Sequence, residues 1–191
     1  MFKLFDRFHF LQMIPQKKHI RLKDFDYSTN GYYFITICTK NKEHFFGKME
    51  IEIMNLNNIG NYANNELKNL PQHFTSVKID EYVVMPNHIH CIIILDDSET
   101  HLSRVTSFKP LSSKFKPNQF SKPNSGSVSL VIQQYKANVK RWCNKNNHGQ
   151  FEWQPRFHDR LIRNEEEYKY IKQYILENSE NWNKDRFNED K

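Results

Sequence analysis

The chain has 191 residues, 38% of them hydrophobic and 26% charged, with a formal net charge of +6. That is enough for one globular, soluble domain with a real core and an insertion, and no stretch approaches the roughly 18 apolar residues of a membrane span. The basic balance favours an anionic partner, nucleic acid being the commonest, although a lysine-rich solvated surface gives the same charge. Cys38, Cys91 and Cys143 are widely spaced, odd in number and form no CxxC, which excludes a disulfide framework and fits a reducing cytoplasm.

Residues 1–20 read as a basic lead-in without the apolar core of a signal peptide. "GYYFITICTK" (31–40), rich in aromatic and β-branched residues, reads as a strand, and the alternating "KMEIEIMNL" (48–56) as a second strand hairpinned to it. Residues 57–74 read as a helix with Pro71 near its end. "VKIDEYVVM" and "HIHCIIIL" are two strands joined at Met85-Pro86-Asn87, a turn-forming triplet. Residues 96–126, where Ser, Pro and Lys concentrate, read as an insertion or loop. Apolar residues at 128, 131, 135, 139 and 142 give residues 127–146 a helical stripe. A short strand around "RFHDRLI" follows. Residues 164–178 form the last helix: Asn164 is positioned to cap it, Glu167 completes a capping-box pattern, and three acids in the first turn suit the helix dipole. Residues 183–191 read as a polar tail, leaving a single domain over 21–182. The order predicts an α+β fold, a ferredoxin-like (RRM-like) βαββαβ antiparallel sheet with helices on one face and an added C-terminal helix.

Fold alone does not give function. The informative stretch is "VVMPNHIHCIIIL" (83–95). Side chains alternate along a strand, so His88, His90, Ile92 and Ile94 share one face, and Ile89, Cys91, Ile93 and Leu95 the other. Buried imidazoles need hydrogen-bond or metal partners, and two on one face can converge on one ion. Two ordinary strand-end histidines satisfy the same pattern. Cys91 points away, which argues against a zinc site built from these three neighbours.

The same stretch resembles the HUH (histidine-hydrophobic-histidine) motif of the single-tyrosine transposases. The wider chain, from about residue 20 to 182, resembles their branch associated with repetitive extragenic palindromes (REP). "YYFITICTKNKEHFFG" is similar to that family's first strand and turn, and "WQPRFHDRLIRNEEEYKYIKQYILEN" to its C-terminal block. Where the family has Asn-Pro near the end of the last helix, this chain has Asn178-Ser179. The resemblance implies cleavage and strand transfer on single-stranded DNA beside hairpins, through a tyrosine linked to the 5′ phosphate. It implies a Mg²⁺ or Mn²⁺ ion on His88, His90 and Asn178, and Tyr174 as nucleophile. Helix geometry agrees: of Tyr168, Tyr170 and Tyr174, only Tyr174 lies about one turn from Asn178 on nearly the same azimuth. Phenol is a weak nucleophile at neutral pH, so a cation that polarises the phosphate offsets that deficit.

Arg156, Arg160, Arg163, Lys136 and Lys140 are candidates for phosphate contacts, with solvated charge the alternative for each. The expected partner is a single-stranded DNA hairpin, REP-like or at an insertion-sequence end. The expected location is a bacterial cytoplasm, at the nucleoid, and the protein is either a monomer or a homodimer with exchanged tyrosine helices. Two rival readings stand beside this one: a non-catalytic single-stranded nucleic-acid binder on an RRM-like sheet, and a metal hydrolase without a covalent intermediate.

Overall fold

A computed structural model describes residues 29–96 and 127–188. The lead-in over 1–20, nearly all of the insertion and the last three residues lie outside it. Its strands are β1 (Gly31–Cys38), β2 (Gly47–Glu50), β3 (Ile53–Leu56), β4 (Val77–Val84), β5 (His88–Leu95) and β6 (His158–Ile162). Its helices are α1 (Asn58–His73), α2 (Val128–Lys145) and α3 (Glu165–Leu176), with single 3-10 turns at Lys40–Lys42 and Trp182–Lys184. Among the described residues, no helix is long and apolar enough to cross a membrane.

The main sheet has the order β4-β5-β1-β6, and every neighbouring pair is antiparallel. β1 and β5 are the two central strands and are buried throughout, which is why both read as nearly continuous apolar runs. Their alternation builds two cores. Tyr33, Ile35, Ile37, Ile89, Cys91 and Ile93 face α1 and α2. Tyr32, Phe34, Ile92 and Ile94 face α3, packing on Tyr168, Ile171 and Ile175. α1 and α2 therefore cover one face of the sheet and α3 the other.

Helix starts follow the sequence signals. Asn57, Ser127 and Asn164 each accept a backbone N–H three residues on, from Gly60, Leu130 and Glu167. The capping box of α3 is one residue out of register, because Glu167 Oε2 accepts from the Arg163 N–H, 2.9 Å away. Gly60 is required where it stands: a Cβ there would lie 2.1 Å from the Phe46 carbonyl oxygen.

Two sequence readings are corrected. Residues 48–56 do not form one strand beside β1; they fold back on themselves as the β2–β3 hairpin, a separate two-stranded sheet. Its turn, Ile51-Glu52, has φ of +48° and +64°, a mirror-image turn made without the usual Gly or Asn. The segment after 182 is also more than a polar tail. Trp182, Asp185, Phe187 and Asn188 are buried, so the described residues there form a strap packed against the domain.

Candidate active site

The register of β1 with its neighbours sets the site's floor. Cys38 lies opposite His88, and Thr36 lies between His90 on one side and His158 on the other, all on the α3 face. The His88 and His90 rings stand 4.6 Å apart and both are buried. Asn87 orients the first of them. Its Nδ2 donates to the carbonyls of Lys42 (3.0 Å) and Phe187 (2.8 Å), which turns its oxygen toward His88 Nδ1 at 2.9 Å. An amide oxygen only accepts, so His88 carries its proton on Nδ1 and keeps a bare lone pair on Nε2. That Nε2 is buried and has no hydrogen-bond partner among the described residues. His90 Nδ1 meets the Thr36 hydroxyl at 2.8 Å, and its Nε2 meets the Tyr174 hydroxyl at 3.2 Å. Burial, reinforced by Arg186, His44 and Lys42, pulls the His88 pKa down to about 3. Burial and the charge of His88 hold His90 well below the usual range too. Both rings are neutral at pH 7, the form that binds metals.

α3 supplies the tyrosine. Tyr168 is not available, since its hydroxyl donates to Asp80 Oδ2 at 2.7 Å. Tyr174, six residues later, packs edge-on to Phe34 and His90. Burial and then Asp185 push its hydroxyl pKa above the usual value, while Arg186 and the Asn178 side chain act the other way. Asn178 follows the end of α3 and is buried. Its contact with Tyr174 is loose: neither of its amide atoms reaches a well-formed hydrogen bond among the described residues.

Sequence reasoning missed Asp185. One ligand atom from each of His88, His90 and Asp185 falls within 4.8 Å of the others, and all three residues are buried. The strap that carries Asp185 also roofs the pair. Trp182 stacks on His88 at 6.2 Å, and Phe187 lies 4.5 Å from His88 and 5.9 Å from His90. The available signal was two aromatics, Trp182 and Phe187, in an otherwise polar stretch. Two neutral imidazoles, one of them with an orphaned lone pair, and a carboxylate fit a divalent cation.

No protein-family model matches the chain. An uncharacterized protein of Haemophilus influenzae is 36% identical over 174 residues, spanning 91% of this chain and 93% of that protein. The chain belongs to the same family. Among solved structures, a REP-associated tyrosine transposase bound to a REP hairpin superposes with a TM-score of 0.51. It is 19% identical and covers 85% of this chain and 72% of that one. At that identity the likeness is one of fold, and it is the fold of the group whose histidine and C-terminal motifs this sequence resembles. A Deinococcus radiodurans structure matches more loosely, with a TM-score of 0.43 and 12% identity over 86% of this chain and 98% of that one.

The basic candidates divide in this family member. Lys136 donates to the carbonyls of Gln154 (2.7 Å) and Arg156 (2.8 Å), and burial lowers its pKa to about 8. Lys140 donates to those of Gly149 (3.0 Å) and Phe151 (2.5 Å). Arg160 pairs with Glu167 at 2.5 Å. These three brace the approach to β6 and α3 through protein acceptors. Arg156 and Arg163 are exposed at the two ends of that approach. His158 sits half-buried on the floor beside Thr36.

Proposed function

We propose that the protein is a metal-dependent enzyme that nicks single-stranded DNA and transfers the cut strand, acting at hairpin-forming sequences as a transposase. The observation that carries this is the Tyr174 hydroxyl, 3.2 Å from His90 Nε2, beside a His88 whose Nε2 lone pair is bare. The fold of a hairpin-bound REP-associated transposase supports the choice of substrate.

The chain's own residues divide the work. Asn87 and Thr36 orient the imidazoles, and His88 and His90 would hold Mg²⁺ or Mn²⁺. Such an ion supplies charge stabilisation to the scissile phosphate. The Tyr174 oxygen forms a bond to phosphorus as the bond from phosphorus to the 3′ oxygen breaks. The phenol loses its proton and the departing 3′ oxygen gains one, so the step is proton-neutral overall. The 5′ phosphate stays on Tyr174 until a second 3′ hydroxyl attacks it. Exposed Arg156 and Arg163 would hold flanking phosphates, and a chromosomal substrate would put the enzyme at the nucleoid.

The test is incubation with a single-stranded DNA hairpin and Mn²⁺, then denaturing electrophoresis. Wild type should give a covalent protein–DNA adduct, and Tyr174→Phe should give none while binding the hairpin near wild-type affinity. Cleavage without an adduct would point to the metal hydrolase, and binding without cleavage to the RRM-like module. An adduct formed by the Phe variant would remove Tyr174 from its role.

A further inference from the structure

The resemblance gives a ligand role to Asn178, and the geometry brings a carboxylate to the histidine pair as well. An ion held at about 2.1 Å by two ligands keeps them no more than about 4.2 Å apart. The ligand atoms of His88, His90 and Asp185, all within 4.8 Å of one another, need only a slight contraction to reach that. The Asp185 carboxylate is held in place, since its Oδ1 accepts from the Phe187 N–H at 2.7 Å. His88 contributes a second, independent sign of a ligand: a fully buried Nε2 with no partner among the described residues.

Charge argues the same way. A divalent ion on two neutral imidazoles and a neutral amide would leave two positive charges in a site that is almost fully buried, and buried charge must be compensated. A carboxylate halves the excess and offers the oxygen that hard cations prefer. Asn178 offers an oxygen but no compensating charge.

We infer that Asp185, carried on the turn after the last helix, completes the cation site with His88 and His90. This deepens the nuclease reading and rests on it. Because Asp185 belongs to the strap, an ion that binds it also favours the docked strap, and the two equilibria are linked.

The experiment is Mn²⁺ binding to the full-length protein without DNA, read by electron paramagnetic resonance of the free ion. Asp185→Asn, which keeps the side chain's shape, should weaken binding by about tenfold or more. Asp185→Glu should recover part of the loss. A second reading avoids variants that fold poorly. Mn²⁺ should slow amide hydrogen exchange at Phe187, whose N–H is bonded to the Asp185 carboxylate. Equal Mn²⁺ affinity for wild type and Asp185→Asn, or unchanged exchange at Phe187, would overturn the inference and leave the nuclease reading intact. If wild type bound Mn²⁺ no better than His88→Ala, both would fall.

Discussion

His88 has one tautomer because Asn87 has one orientation, and Asn87 is pinned by carbonyls from two distant parts of the chain. Keeping that ring neutral and dry ties stability to pH. The folded-state pKa is about 3, whereas an unfolded histidine titrates near 6.5. Between those values the unfolded chain binds a proton that the folded chain refuses. Stability therefore rises with pH across this window: the contribution is fully present above the unfolded value and is lost as pH falls toward the folded one. The metal-free protein should melt at progressively lower temperature as pH drops from neutral toward 4.5, and His88→Gln should flatten that slope. Parallel melting curves for the two proteins across the range would show that His88 carries none of the dependence.

At the scale of elements, α3 holds the reactive group in place. One end is fixed to β4 at its bulge, where Asp80 accepts from both Tyr168 and Lys172. The middle is fixed by Ile171 and Ile175, buried against Tyr32, Phe34, Ile92 and Ile94. Truncating Ile171 to Ala should cost about 3 kcal/mol in urea unfolding, as loss of a fully buried aliphatic side chain does. Leu176 on the same helix is 56% exposed, and its truncation should cost no more than about 0.5 kcal/mol. Comparable losses for the two would mean that α3 is not docked through this face. The alternation of β5 and the cap of α3 were legible because periods of 2 and 3.6 leave marks on sequence. The β2–β3 hairpin was not, because Ile51-Glu52 makes its turn without Gly or Asn and leaves the alternation unbroken. The strap was not legible either: it has no period, and only Trp182 and Phe187 mark it among polar residues.

Across the whole molecule, a net charge of +6 should make hairpin affinity fall steeply with salt. The slope of log affinity against log salt should shrink for Arg163→Ala, whose side chain is exposed. It should change less for Lys140→Ala, whose ammonium is already held by two backbone carbonyls. The same slope for all three proteins in a gel-shift series would remove Arg163 from the interface. Sequence alone did not separate these two cations, because whether a lysine finds a carbonyl depends on a loop path that composition does not encode.

Cys38 gives the site a clock. It lies opposite His88 on the same face, while Cys91 faces the other core and Cys143 is buried in it. All three thiols are buried and free, and burial pushes that of Cys38 up to about 12. A thiol in that state does not react with alkylating reagents until its cover moves. The strap lies over His88, the residue opposite Cys38 in the sheet. The rate at which an alkylating reagent modifies Cys38 under native conditions should therefore count how often the roof over the histidines lifts. Saturating Mn²⁺ should slow that rate while leaving Cys91 and Cys143 unchanged.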